Sequence, residues 1–375
     1  MVRVIEIGHI VAGPTAGLIM SDLGHEVIKV EQPGKGDIAR HLTGTSSGTF
    51  PYFNRNKKSI ALNFRTETGK EIFKRLIKTA DVLIDNIGFG SLERAGLSYE
   101  VLSKINPALI YLSLKGYGKG PYEERKSLDY PIEVHSGLAY MTGLIGRPMR
   151  VGTSIVDITS AMFGVIGILD AIIERDKTGF GKYIDLGMFE TSSFLIGQHI
   201  VSYQMNREPL KPINEEGFAW AIYDFFRTRD NKDIFIAVTT DPQWLIFCKA
   251  LSLGLCFDED YSTNEKRYSK RKEMLDIVSK RISQVDYEDL ENLLTKENIA
   301  HALLNRPWDL LNDPHMSQKM VRSDFNGLEL SMPPIPIEGA KSGKYPLLGE
   351  DTEEILAELG YKKDEIEYFK KEKLV

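Results

Sequence analysis

The chain has 375 residues, 42% hydrophobic and 27% charged, with a formal net charge of −6. Such a length allows two domains, or one large domain with an appendage. Mixed charge with a slight acidic excess argues against a dominant nucleic-acid or membrane-surface role, which would need a basic face, but leaves room for a local basic pocket.

The N-terminal MVRVIEIGHIVAGP lacks the charged segment and cleavage pattern of a signal peptide. RVIEI (3–7) reads as a strand and residues 14–23 as a short helix opened by Pro14; EVIKVE (26–31) then completes a β-α-β unit. An amphipathic helix over 68–79 leads into the strand-like ADVLIDN, and a helix over 99–107 leads into ALIYLSL. This alternation predicts an α/β fold whose parallel sheet is covered on both faces. Residues 158–175 are apolar on nearly every side and read as a buried helix. YIDLGMF resumes the sheet, and residues up to 206 look helical. No apolar run is judged to approach the roughly 20 residues of a membrane span, so a cytoplasmic protein is expected.

The pattern changes near 210. AIYDFFRTRDNKDIFIAVTTD predicts a hairpin turning at RDNKD, followed by helical segments that include PQWLIFCKALSL and YEDLENLLTKE. The expected division is a large domain over 1–210, completed by 311–375, and a small α+β domain over 211–310. Cys248 and Cys256 belong to no CxxC pair and to no zinc-spaced set, so reduced thiols and no metal are expected. Residues 331–345 are rich in Pro and Gly, and two short charged helices end the chain.

Several segments carry candidate chemistry. The first β-α turn, Gly8 to Pro14, lacks G-x-G-x-x-G, although Glu31 stands where a ribose-binding acid would. The block FNRNKKSIALNFR offers Arg55, Lys57, Lys58 and Arg65, either as a solvated basic stretch or as an anionic nucleotide site. Arg40 and Arg94 add cations from other segments. Gly116, Gly118 and Gly120 permit close backbone approach to a ligand, and His135 reads as structural. Asp157 is the one charge in VGTSIVDITSAMFGVIGIL. It reads as an N-cap, a position that also favours an ionised carboxylate able to act as a nucleophile.

Taken in order, VIEIGHIVAGPTAGLIMSDLGHEVIKVEQPGKGD, FNRNKKSIALNFR, ADVLIDNIGFGSLERAGL, NPALIYLSLKGYGKGPY, VDITSAMFGVIGILDAI, KTGFGKYIDLGMFE and LLGEDTEEILAELGY resemble the family III CoA-transferases (CaiB/BaiF type), the group that also contains α-methylacyl-CoA racemase. The resemblance implies an interlocked homodimer with a large Rossmann-like domain and a smaller inserted one. It implies that acyl-CoA and a carboxylic acid are the substrates and that Asp157 is the nucleophile. By position it assigns CoA contacts to Val11, Ala12, Arg40, Leu62, Asn63, Phe64, Arg65, Asn86, Ile87, Gly88, Arg94 and Lys126. Gly13 is a candidate oxyanion donor, and Glu215, Phe218 and Trp220 are candidates for the acyl pocket. Asn86-Ile87-Gly88 departs from the family's aromatic and Arg after the strand-end Asn. Val11 and Leu128 replace a Gln and a Tyr of the formyl-CoA transferase branch, while Asp129 keeps the acidic position. A racemase would need a His where Leu128 stands, which favours transfer over α-proton exchange. A racemase-like enzyme and a CoA-binding protein without transferase activity are the alternatives.

Overall fold

A computed structural model describes residues 1–216, 219–325, 327–340 and 342–375. The chain divides into two compact units, Met1–Pro212 with Gln318–Val375, and Ile213–Ser317.

The first unit is built on six parallel strands: β1 (Arg3–Ile7), β2 (Glu26–Glu31), β3 (Lys58–Ala61), β4 (Val82–Asp85), β5 (Ile110–Lys115) and β6 (Tyr183–Gly187). Their order is β3-β2-β1-β4-β5-β6. Strand order therefore reverses between β1 and β4, and in such sheets the crevice at the strands' carboxyl ends there is where ligands bind. The sequence reading missed β3, which lies inside the basic block. It has four residues and its flanks are charged, so its alternation is too short to stand out.

Both faces of the sheet are covered. Val4, Val27, Val82, Ile84 and Leu112 point to one face, where α1 (Ala12–Asp22) and a long helix, Ile155–Thr178, bury Ala16, Met20, Ala161, Val165 and Ile168. Ile5, Ile28, Ile60, Leu83 and Tyr111 point to the other, covered by α2 (Glu67–Lys78), α3 (Tyr99–Ile105) and the terminal helices Thr352–Glu358 and Lys363–Lys371. The side chains alternate because successive strand residues face opposite ways.

This arrangement fixes the hand of each crossover. β1-α1-β2 steps one way on the first face; β3-α2-β4 and β4-α3-β5 step the other way on the second face. These three share one hand, the right-handed one that βαβ units adopt. The β5 to β6 connection also steps the second way, yet its helix Ile155–Thr178 lies on the first face, so that crossover has the opposite hand. Within it come α4 (Asp129–Ser136) and then the long helix, now α5 (Ile155–Thr178). As a result α1 and α5 pack side by side and run parallel, with both N-termini at the carboxyl edge of the sheet. Gly164 permits the close seating of α5 on the sheet: a Cβ there would come within 2.7 Å of Leu112 Cδ2.

α5 corrects two expectations. Only one flank is buried, while Met162, Ile166, Leu169 and Ile173 form an exposed stripe at helical spacing. It is also 24 residues long with mean hydropathy 1.9 over its most apolar window, which is long and apolar enough for a membrane span by length and composition. Its buried flank is committed to the sheet and α1.

In the second unit the hairpin forms as β7 (Ile222–Arg227) and β8 (Asp233–Val238), and β9 (Ala300–Leu303) adds a third antiparallel strand. Trp244, Phe247, Val278 and Leu290 from three helices close its core. Cys248 and Cys256 are not free thiols but form a disulfide. The turn after helix Asp241–Ala250 brings their Cα atoms to 5.4 Å. Glu215 is exposed, the Trp220 ring lies 5.2 Å from that of Tyr223, and Phe218 lies outside the described residues.

Candidate active site

The first β-α turn is held in an unusual conformation. Ile10 has φ +66°, a left-handed geometry that a β-branched side chain disfavours. Its amide donates to both carboxylate oxygens of Asp37, at 3.1 and 3.3 Å. Asp37 is fully buried and pairs with Lys29 Nζ at 3.0 Å; Lys29 also reaches Glu6 Oε1 at 2.8 Å and the Gly8 carbonyl at 2.7 Å. The second oxygen of Glu6 takes Lys57 at 2.6 Å, and Lys57 donates to the Pro14 carbonyl at 2.8 Å. Two buried acids and two buried ammonium groups thus balance beneath the turn. Burial works against the charge of Asp37, but Lys29 together with the hydrogen bonds from His9 and the Ala39 amide outweighs it and holds the carboxyl well below the usual range. Burial pushes Lys57 down to about 8, with Glu6 opposing.

A second clamp comes from the neighbouring strand end. Asn86 Oδ1 accepts the His9 amide at 2.7 Å and Nδ2 donates to the His9 carbonyl at 3.2 Å. A Cβ on Gly13 would lie 2.8 Å from Asn86 Oδ1, so this approach requires glycine. α1 begins at Ala12, two residues earlier than expected, with Val11 as its N-cap. Pro14 is accommodated because first-turn amides need no intrahelical acceptor.

Asp157 lies in the first turn of α5 but is not its cap. Ser154 holds that place without a side-chain capping bond, and Asp129 caps from outside: its Oδ1 accepts the amides of Val156 at 2.9 Å and Asp157 at 3.2 Å. Asp129 Oδ2 takes Arg150 Nη2 at 2.8 Å, and the same nitrogen reaches Ser154 Oγ at 3.1 Å. Glu133, one turn further along α4 and fully buried, accepts the Val151 amide at 2.9 Å and has Oε1 3.7 Å from Arg150 Nε. Three acids therefore share one arginine. The half-buried Asp157 is pushed up to about 7, first by desolvation and then by Asp129, with Arg150 opposing. This corrects the expectation of a carboxylate held fully charged by the helix head: like-charge crowding and burial outweigh the helix dipole. Glu133 is likewise pushed to about 7 by burial and by Asp129.

The other expected residues fall into two groups. Val11 and Ala12 are buried at the head of α1, beside Asn86 at the strand-order reversal. Arg65, Arg94 and Lys126 are exposed cations. Arg94 donates to the Phe89 carbonyl at 3.2 Å, and Lys126 flanks a 320 Å³ depression in its own loop, lined by Gly120, Tyr122 and Arg125 among others. Gly88 has φ +97° and Ile87 donates its amide to Asp85 Oδ1 at 3.0 Å. The remaining side chains serve the fold. Arg40 grips Glu31 through two bonds of 2.8 and 2.7 Å and lies 3.8 Å over the Phe50 ring, which also occupies the acid expected for a ribose. Leu62 is core, Phe64 packs 5.5 Å from Phe73, and the Asn63 amide donates to the Leu374 carbonyl at 2.8 Å.

Arg55 and Lys57 are not on a ligand surface: both are buried, Arg55 against Asp22 and Lys57 against Glu6. The close approaches of Gly116 and Gly118 are to Ser127 and Glu190. His135 Nδ1 lies 3.0 Å from the Tyr117 hydroxyl, and its ring stacks on Phe189 at 4.7 Å. Sequence reasoning missed Glu133, Arg150, Asp37 and Lys29. Asp129 and Glu133 are like charges four apart on one helix, an arrangement that needs a nearby cation and was the available signal.

The chain matches CoA-transferase family III over residues 1–352. It is 31% identical over 373 residues to the succinyl-CoA:glutarate CoA-transferase of Mus musculus, covering 96% of this chain and 85% of that protein. It is 30% identical over 378 residues to the succinyl-CoA–L-malate CoA-transferase alpha subunit of Chloroflexus aurantiacus, covering 96% and 88%. The crystal structure of a CAIB/BAIF family protein from Brucella suis superposes with a TM-score of 0.84 at 32% identity, covering 96% and 98% of the two chains. The strand order, the turn clamped beside β4 and these full-length matches agree: the chain belongs to CoA-transferase family III and is an enzyme of that class.

Proposed function

We propose that Asp157 carries CoA between two carboxylic acids as a covalent aspartyl thioester. An Asp157 carboxylate oxygen attacks the thioester carbonyl of the donor; the C–O bond forms, the C–S bond breaks, and a mixed anhydride and CoA thiolate result. The thiolate attacks the Asp157 carbonyl and expels the donor as its carboxylate. The acceptor carboxylate then attacks the aspartyl thioester, again giving an anhydride and a thiolate. The thiolate takes the acceptor's acyl carbon and frees Asp157. Each step exchanges one carboxylate or thiolate for another, so no proton is gained or lost and the thioester energy is kept.

The observation that carries this reading is the placement of Asp157 at the head of α5, half-buried and titrating near neutrality, so the nucleophilic carboxylate is present at neutral pH without a strong pull on its lone pairs. The amides of Val11, Ala12 and Gly13 at the parallel head of α1 suit the CoA and the developing oxyanions, and Arg65, Arg94 and Lys126 suit the CoA phosphates. The relatives named for glutarate and malate make dicarboxylic acids the first acceptors to try, with succinyl-CoA as donor. The exposed stripe Met162, Ile166, Leu169, Ile173 on α5 supports a homodimer.

The racemase reading is weaker. Leu128, where a proton-carrying His would be needed, is 65% exposed and aliphatic, and His135 is engaged by Tyr117 and Phe189. The test is CoA transfer from succinyl-CoA to a panel of dicarboxylates by the parent and by Asp157→Ala, with hydroxylamine trapping and peptide mass analysis. Loss of transfer and a hydroxamate at residue 157 are expected. Full transfer by Asp157→Ala, or trapping elsewhere, overturns the assignment. Exchange of α-deuterium into a 2-methylacyl-CoA without an acceptor would favour the racemase.

A further inference from the structure

We infer that Arg150 is a positioning residue for the nucleophile: it ties the capping acid Asp129 to the segment that opens α5 and supplies the positive charge that faces Asp157. The inference rests on the reading of Asp157 as nucleophile.

The geometry is a three-way strap. Arg150 Nη2 bonds Asp129 Oδ2 at 2.8 Å and Ser154 Oγ at 3.1 Å, so one nitrogen joins α4 to the N-cap residue of α5. Asp129 is then able to turn its other oxygen to the amides of Val156 and Asp157. Glu133 holds the same segment one residue on, through the Val151 amide at 2.9 Å. Its Oε1 is buried with no hydrogen-bond partner among the described residues and lies 3.7 Å from Arg150 Nε. Without the guanidinium, three carboxyl groups would crowd one another with no cation between them.

Among the described residues no other cation acts on Asp157. From α4, Asp129 acts on Asp157 and Glu133 crowds Asp129 in turn, while His135 is turned to Tyr117. On α1 the titratable group is Asp22, at the far end and paired with Arg55. On β5 and β6, Lys115 and Asp185 pair with each other at 2.8 Å. On helix Met188–Leu195, Glu190 accepts the Gly118 amide at 3.1 Å. Arg150 is the cation that acts on Asp157.

The experiment is the pH dependence of kcat for CoA transfer in Arg150→Gln, Arg150→Lys and Asp129→Asn, beside the parent. Asp157→Ala is run as the control for the nucleophile itself. Arg150→Gln is expected to move the acid limb to higher pH by about one unit, a loss of about fivefold at pH 7 that is regained in alkali. Arg150→Lys keeps the charge and is expected to keep the parent's midpoint. Asp129→Asn removes the like charge but keeps an acceptor for the amides, and is expected to move the limb to lower pH. The inference is overturned if Arg150→Gln lowers kcat equally at every pH, if Arg150→Lys fails to keep the midpoint, or if Asp129→Asn shifts the limb upward. Should Arg150→Gln not fold, the unchanged midpoint expected of Arg150→Lys and the downward shift expected of Asp129→Asn still decide. Activity retained by Asp157→Ala would instead overturn the nucleophile, a separate and distinguishable failure.

Discussion

The amide of Ile10 is bonded to both oxygens of Asp37, and the residue so held has a left-handed backbone that isoleucine disfavours. Asp37 in turn is anchored by Lys29, so the turn's shape depends on a buried ion pair three segments removed in sequence. Asp37→Ala is expected to destabilise the protein by about 3–5 kcal/mol, because it leaves Lys29 under-paired in the interior. Asp37→Leu, which removes the acceptor, should weaken CoA binding, measured by calorimetry, by releasing the turn. Adding Ile10→Gly should restore much of that binding, since glycine adopts the left-handed geometry without the clamp. No recovery in the double variant would mean that Asp37 serves only its ion pair.

Gly17 faces the same buried network. A Cβ there would lie 2.0 Å from Glu6 Oε2 and 3.0 Å from Lys57 Nζ. Gly17→Ala is therefore expected to lower stability by about 3 kcal/mol by displacing a buried acid from its partners, despite alanine's better helix propensity. Thermal unfolding checks this; a melting point at or above the parent's would contradict it.

Asp85 predicts a pH dependence of stability. Burial, against the bonds from Tyr111 and Ile87, pushes its carboxyl up to about 6, from about 4 when unfolded. A raised folded value means that the native state binds the proton more tightly. The contribution is full below about pH 4 and is lost as pH rises through about 6. Asp85→Asn should remove that slope, so that the parent loses about 2 kcal/mol more than the variant between pH 4.5 and 7.5 in urea titrations. Equal slopes would contradict it.

The expected CoA cations should separate by burial. Arg65→Ala, Arg94→Ala and Lys126→Ala are each expected to weaken CoA binding severalfold, with an effect that shrinks at high salt, because these side chains are exposed. Arg40→Ala is expected to act through stability instead, by stranding Glu31, which is 2% exposed. Binding isotherms at two salt concentrations and melting curves distinguish the two behaviours.

Periodicity in the sequence was enough for β1, α1, β2, β4, β5 and the β7–β8 hairpin, because their apolar residues alternate over five or more positions or are bounded by clear turns. β3 escaped because its four residues sit among Arg55, Lys57, Lys58 and Arg65. Lys57 also shows why a basic block misleads: whether a lysine meets solvent or Glu6 depends on a residue 51 positions away. Asp157 was legible as a lone charge in an apolar run. Its capping role was assigned to the wrong acid, since a cap supplied by Asp129, 28 residues upstream, leaves no local pattern. The pairing of Cys248 with Cys256 was equally hidden, as it depends on the turn that follows a helix.

The reversed hand of the last crossover also has an electrical meaning. Two parallel helices, α1 and α5, begin at the same edge of the sheet, and each head carries about half a positive charge from its aligned peptide dipoles. Together they present about one unit of charge that resides on no side chain. Such a charge does not titrate, and no single side-chain substitution deletes it. Alanine scanning of this edge should therefore leave a residual affinity for anions at every pH tested.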